Sequence, residues 1–286
     1  MTQPVIAGAD GSAPSLRAVM WAAQEAALRK APLLIAHTAL RWTNDVPLAP
    51  QPHHWGAAAE ATAWELLRQA AERAQTGTDV HTVTTDILDG PAAEALADAA
   101  RHAQLLAVGT RGRGGFAGLL LGSVSRDLAT RCPCPLIVVG PPPPCQNTHI
   151  VVGATGEPGQ EPVLRFAFEE ARLRGRPLHA VHAWTHPHAT PGRPQPLVYD
   201  IDAVGQEETL LLAEALAGWR EEFPDVTLTE ETLHTHPAKA LIDASHNAEL
   251  VVAGATARRT ATLGPTTSIL LHHSHAPIAV IRHPPA

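Results

Sequence analysis

The sequence predicts an α/β fold built twice, two parallel sheets each covered by helices on both faces. Three observations predict it. Short, largely apolar strands alternate with helical segments through short connections, the pattern of right-handed crossovers between parallel strands. The motifs of the first half return in the same order in the second. A glycine-rich turn follows an apolar strand, at the sheet edge where open α/β folds place ligands.

The repeat sets the domain organisation. VIAGADG at residues 5–11 returns as IVVGATG at 150–156, an offset of 145 residues. LLIAHTAL at 33–40 returns as LHAVHAWT at 178–185, AQLLAVGTRG at 103–112 as AELVVAGATA at 248–257, and CPLIVVG at 134–140 as APIAVIR at 276–282. Units of this length are too long for solenoid repeats, and each is able to hold its own core. The expected boundaries are a first domain at 1–140, a proline-rich linker at 141–147 and a second domain at 148–286. The run GPPPPCQN favours an extended, semi-rigid connection, because proline lacks the ladder donor of a central strand.

In the first copy, residues 5–7 form a strand that ends in Gly8-Ala9-Asp10-Gly11-Ser12. A helix follows from about Pro14, with Leu16, Val19, Met20, Ala23, Ala26 and Ala27 at helical spacing; Ser12 is a candidate cap and Pro14 a first-turn residue. Residues 33–37 are the next strand, 41–55 a proline-containing loop, and 57–75 a helix carried by Ala57, Ala61, Trp64, Leu67 and Ala71. Residues 80–84 have strand character, Asp89-Gly90-Pro91 is a turn, and 92–102 is a helix. Residues 105–108 and 136–139 are the last strands, with a helix at about 124–130 between them. The second copy places helices at about 161–174, 204–222 and 238–247, and its loop at 186–199 matches 41–55.

Composition limits the function. Of 286 residues 45% are apolar but only 4% are Phe, Trp or Tyr, so the cores are built mainly from Ala, Leu and Val. The net charge of −7 disfavours a general nucleic-acid or anionic-membrane surface. Residues 1–145 carry 11 basic and 12 acidic side chains, against 10 and 16 in 146–286, so an anionic ligand belongs more naturally in the first copy. Three cysteines, Cys132, Cys134 and Cys145, give no disulfide framework. With no run of 18 apolar residues and no secretory pattern in MTQPVIAGADGS, a cytoplasmic protein is expected.

The loop at 109–123, GTRGRGGFAGLLLGS, carries the chemistry. Glycines at 109, 112, 114, 115, 118 and 122 before a helix start leave backbone N–H groups with no intrahelical partner, and such amides hold polyphosphate. Gly112 and Gly122 allow close backbone approach, Arg111 and Arg113 offer cations, and Ser123 offers a hydroxyl that also caps. Asp10 is placed either to accept from a ribose hydroxyl or adenine amine, or to close an Asx turn before the helix. The loop lacks the Lys-Ser/Thr ending of a P-loop, and GADGSAP lacks the spaced glycines of a dinucleotide fingerprint. No metal set, triad or paired carboxylates is defined by spacing, so no catalytic or metal-ligating residues are assigned; the histidines at 179, 182, 186, 188, 234, 236, 272, 273 and 275 read as solvated or core-edge side chains. Cys132-Pro-Cys134 is one residue short of a thioredoxin-like pair and reads as buried small residues.

VIAGADGSAPSLRAVMWAAQEA, AHTAL, LLAVGTRGRGGFAGLLLGSVS and CPCPLIVVG resemble the universal stress protein family, and the doubled arrangement resembles its tandem-domain members. The most specific element is Gly109-x2-Gly112-x9-Gly122-Ser123, which in that family marks ATP-binding members. The resemblance implies two open five-stranded sheets of order 3-2-1-4-5, adenine nucleotide alpha hydrolase-like, that pair through their last strands at 136–139 and 278–281. One chain then imitates a homodimer, alone or as a dimer of tandem chains. It also implies ATP, accompanied by Mg²⁺, with Asp10 at ribose or adenine, Ala9 and Thr38 lining adenine, and Val108 and Gly109 near the nucleoside. Arg111, Gly112, Gly122, Ser123 and Val124 would hold the triphosphate. Members are binding or regulatory proteins of stress, starvation or dormancy rather than efficient enzymes, which implies a regulatory protein partner; the alternative is a nucleotide-independent interaction module. The second copy departs from the pattern: Thr155 stands for Asp10, Ala257 for Gly112, Arg259 and Thr260 for Gly114 and Gly115, and Pro265 for Ser123. A β-carbon and a missing N–H remove what phosphate needs, so one nucleotide site is expected, in the first copy.

Overall fold

The computed structural model describes residues 2–39, 53–112, 121–141, 148–185, 200–256 and 263–283. Expectations that fall on Arg113, Gly114, Gly115, Gly118, Cys145, His186, His188, Ala257, Arg259 and Thr260, on the linker at 142–147 and on most of the two proline-containing loops lie outside the described residues. Two compact units separate by their contacts: Met1–Pro141 with Pro277–Arg282, and Pro142–Arg259 with Leu263–Ala276 and His283.

The first unit runs β1 (Val5–Gly8), α1 (Ala13–Leu28), β2 (Leu33–Ala39), α2 (His53–Gly77), β3 (Val83–Asp89), α3 (Ala92–Ala99), a 3-10 turn (Ala100–His102), β4 (Leu105–Gly109), α4 (Ser123–Arg131) and β5 (Leu136–Val139). Its strands lie in the order β3-β2-β1-β4-β5, all parallel, which is the expected 3-2-1-4-5. Every residue of β4 and β5 is buried, as strands covered by helices on both faces require. Strand β3 begins three residues later than its sequence suggests, because it is an edge strand with only Ile87 buried and therefore carries little apolar signal.

Ser12 caps α1 as expected: its Oγ accepts from the Ser15 N–H at 3.3 Å. The buried face of α1 is Ala18, Val19, Ala22, Ala23 and Ala26, whose small side chains let the helix lie close against β1 and β4. Fully buried Glu25 on the same helix pairs with Arg29 one turn later.

The second unit repeats the course with β6 (His149–Gly153), α5 (Glu161–Arg174), β7 (Leu178–Trp184), α6 (Ile201–Glu222), β8 (Leu228–His234), α7 (Pro237–Ser245), β9 (Ala248–Thr256) and α8 (Pro265–His273). Its strands run β8-β7-β6-β9, again parallel. The buried ion pair recurs as Glu170 with Arg174 at 2.9 Å, and Arg174 also reaches Glu249 at 2.9 Å.

The last strand, β10 (Ile278–His283), runs antiparallel to β5, with Ile278 opposite Val138, Ala279 opposite Ile137 and Val280 opposite Leu136. The pairing of last strands implied by the family resemblance is therefore present. It also narrows the expectation of two separate parallel sheets, since Pro277–Arg282 belongs by its contacts to the first unit and adds an antiparallel strand there. An all-apolar strand such as β5 (LIVV) makes a poor edge, and β10 covers its ladder groups.

Candidate functional site

The carboxyl ends of β1, β2 and β4 and the start of α4 surround one cavity of about 510 Å³ in the first unit. Its lining includes Ala9 and Asp10 after β1, Thr38 in β2, and Val108, Gly109, Arg111 and Gly112 at and after β4. Gly122, Ser123 and Val124 complete it from α4. These ten residues, expected at a nucleotide site, line one cavity, while Arg113 lies outside the described residues.

The glycines have steric reasons to be there. A β-carbon on Gly109 would stand 2.6 Å from the backbone carbon of Pro14, so β4 touches the first turn of α1 too closely for any side chain. One on Gly112 would meet Asp10 Oδ2, which brings the loop after β4 against the loop after β1. Gly11 and its counterpart Gly156 are left-handed, with φ of 78° and 70°, and turn the chain from strand to helix in each copy.

Both readings of Asp10 find support in its geometry. Oδ1 accepts from the Ser12 N–H at 2.9 Å, which closes the Asx turn, while Oδ2 lies beside Gly112 on the cavity wall. Ala9 is more occupied than expected: its N–H donates to Ala36 O at 2.8 Å, and its carbonyl oxygen stands 2.7 Å from His37 Nδ1. One carbonyl lone pair is then what Ala9 has left for a ligand. Ser123 does not cap α4. Gly122 is the cap residue, with extended backbone and no side-chain cap bond, so Ser123 is the first helical residue and the first-turn amides lack a capping side chain.

Sequence reasoning missed several wall residues. Ser125 Oγ donates to Gly109 O at 2.7 Å and ties α4 to the end of β4, and Ser15 Oγ accepts from the Asp10 N–H at 3.3 Å. Leu96, Ala36 and Leu121 supply apolar wall. The signal for Leu96 was its place on the buried face of α3; none marked Ser125, whose role depends on a contact sixteen residues back. Arg17, which lies outside the cavity lining, was also missed. Its Nε donates to Gly140 O at 2.8 Å, and burial, then the charge of Arg111, push its guanidinium below the ordinary arginine range.

The sequence profile of the Universal stress protein family matches residues 1–140 and 146–282. The chain belongs to the universal stress protein family. The universal stress protein Rv2005c of Mycobacterium tuberculosis is 34% identical over 290 residues, covering 97% of this chain and 96% of that one. A universal stress protein of Mycolicibacterium smegmatis is 34% identical over 298 residues, with the same coverage. Among solved structures, a universal stress protein from Archaeoglobus fulgidus superposes with a TM-score of 0.69 at 17% identity, covering 98% of both chains, a likeness of fold.

Other sequence features of this universal stress protein resolve as follows. Among the described residues no group of three or more His, Cys, Asp or Glu is placed to hold a metal ion, and no helix is long and apolar enough to cross a membrane. His236 Nδ1 accepts from the Ala238 N–H at the start of α7, and His275 stacks on His246 with ring centroids 3.8 Å apart. Buried His182 stands 2.8 Å from Ala154 O through Nδ1 and 2.7 Å from Glu208 through Nε2. Cys132 is buried as expected, whereas Cys134 is half-buried with its sulfur 3.8 Å away; their hydrogen bond pulls the Cys132 thiol down and pushes Cys134 up.

Proposed function

We propose that this universal stress protein binds ATP in the first-copy cavity and serves a regulatory role in stress, starvation or dormancy in the cytoplasm, passing the bound state to a protein partner. One observation carries this reading: Ala9, Asp10, Thr38, Val108, Gly109, Arg111, Gly112, Gly122, Ser123 and Val124, far apart in sequence, line a single cavity of nucleotide size. The lining of the cavity supports this reading at both of its ends. Gly8, Ala36, Leu96 and Val108 form an apolar end suited to a base, and Arg111, Gly112 and the uncapped start of α4 form a polar end suited to phosphates. Asp10 lies between these, where its carboxylate accepts from a ribose hydroxyl or faces the Mg²⁺ that accompanies the nucleotide. Binding rather than efficient turnover is part of the same proposal. The domain division at 1–140 and 148–286, with the linker between, belongs to the same proposal.

Calorimetry with ATP on nucleotide-stripped protein tests it. The expected result is one ATP per chain for the wild type and loss of binding in Gly112→Trp, whose side chain would enter the phosphate end; a wild type that binds none would overturn the reading. In that event the interaction module without nucleotide, presenting the acidic second copy to a partner, takes its place.

A further inference from the structure

The second unit has a cavity of about 430 Å³ at the matching place, between the carboxyl ends of β6, β7 and β9 and the start of α8. The second copy keeps part of the first wall and loses the rest. At the apolar end Gly153 stands for Gly8, Val181 for Ala36, and Leu241 for Leu96. The strand-end carbonyl is held alike in both, His182 on Ala154 as His37 on Ala9. The hydroxyl of Thr267 donates to Gly254 O at 2.8 Å as Ser125 does to Gly109 O, so the last helix is pinned at the same point.

The other end is changed in its charge. Thr256 occupies the place of Arg111, and Pro265 stands at the first position of α8 where Ser123 offers an N–H. Glu157 takes the place of the small neutral Ser12 and brings a carboxylate to the wall. Thr155 takes the place of Asp10 and is absorbed into the loop: its N–H donates to Gln160 Oε1 at 2.9 Å, while Gln160 Nε2 donates to Gly153 O at 2.7 Å. Among the described residues of this wall there is neither Lys nor Arg, and the basic side chain it does hold is the imidazole of His283 beside Gly254. A triphosphate here would give up a guanidinium and an amide and gain a like-charged neighbour. A ligand with no phosphate loses nothing by those changes, and an ionised carboxylate at the exposed rim is a good acceptor for vicinal hydroxyls.

We propose that the second cavity is a binding site for an uncharged nucleoside, its base at the end lined by Val181, Leu241 and Ala253 and its ribose hydroxyls donating to Glu157. The assignment of a nucleoside rests on reading the first cavity as a nucleotide site. The two copies then read different states of one ligand class, the charged nucleotide in one and the phosphate-free nucleoside in the other.

Equilibrium dialysis of the nucleotide-stripped full chain against adenosine and against ATP tests this by stoichiometry. The expected result is two adenosines but one ATP per chain. Ala183→Trp, which fills the mouth of the second cavity at the end of β7, should remove one adenosine and leave ATP binding unchanged. Glu157→Ser combined with Thr256→Arg removes the carboxylate from this wall, restores the first copy's residues at two exposed positions and should strengthen ATP binding at the second cavity about tenfold, a gain that misfolding cannot mimic. One adenosine per chain with ATP binding intact, or two ATP in the wild type, overturns the proposal and leaves the first-site reading standing. A chain that binds no ATP overturns the first-site reading instead, and an adenosine that Ala183→Trp removes would then still support the second cavity.

Discussion

At the level of single residues, Gly109 and Gly112 show how one residue type serves two purposes within one loop. The atoms that a β-carbon on Gly109 would strike belong to the backbone and ring of Pro14, which cannot rotate away. Gly109→Ala is therefore expected to lower stability by about 1–3 kcal/mol through overpacking, read as a shifted urea midpoint. The atom that would be struck at Gly112 is the tip of the Asp10 side chain, which can swing aside. Gly112→Ala should leave the urea midpoint nearly unchanged while weakening ATP binding, because the displaced carboxylate moves on the cavity wall. His149 supplies a pH dependence of its own. Burial, and then the neighbouring His179 ring, push its imidazole below the ordinary value of 6.5. The unfolded chain thus takes up this proton at higher pH than the folded one, so its contribution is full above pH 6.5 and is lost as pH falls through the lower folded value. Melting temperature should fall between pH 7 and 5, and His149→Gln should flatten that part of the profile.

At the level of elements, each copy fixes its last helix by the same device. Ser125 near the start of α4 and Thr267 near the start of α8 are buried hydroxyls that donate to the carbonyl at the glycine of the preceding strand. Ser125→Ala and Thr267→Val each leave a carbonyl without that donor and should each cost about 1–3 kcal/mol in urea denaturation. Only Ser125→Ala should also weaken ATP binding, since α4 carries the amides at the first cavity. The helices whose caps and buried faces are local were legible in the sequence: α5 spans the expected 161–174, and α1 begins one residue before the expected Pro14. Strand β3 was not legible at its true limits, because an edge strand buries one residue and its pattern TTDILD reads as polar.

At the level of the whole molecule, the pairing of β10 with β5 makes the first unit depend on the last strand of the chain. Val280→Pro removes a ladder donor opposite Leu136, and amide exchange at Leu136–Val139 is expected to accelerate at least about tenfold while β1 keeps its protection. Unchanged exchange at β5 would show that the ladder does not need β10. The sequence by itself determined the duplication, the parallel run of apolar strands and the glycine-rich turn after β4, because repeats, buried strands and glycine turns are local patterns of residue type; Ala9, Thr38, Val108 and Val124 were reached only through the family resemblance. Tertiary structure decided the rest: that Asp10 faces Gly112, that Ser125 holds the carbonyl at the end of β4, and that Glu157 enters the second wall. Each of these joins residues with no mutual signal in the chain, and only the folded path brings them within reach.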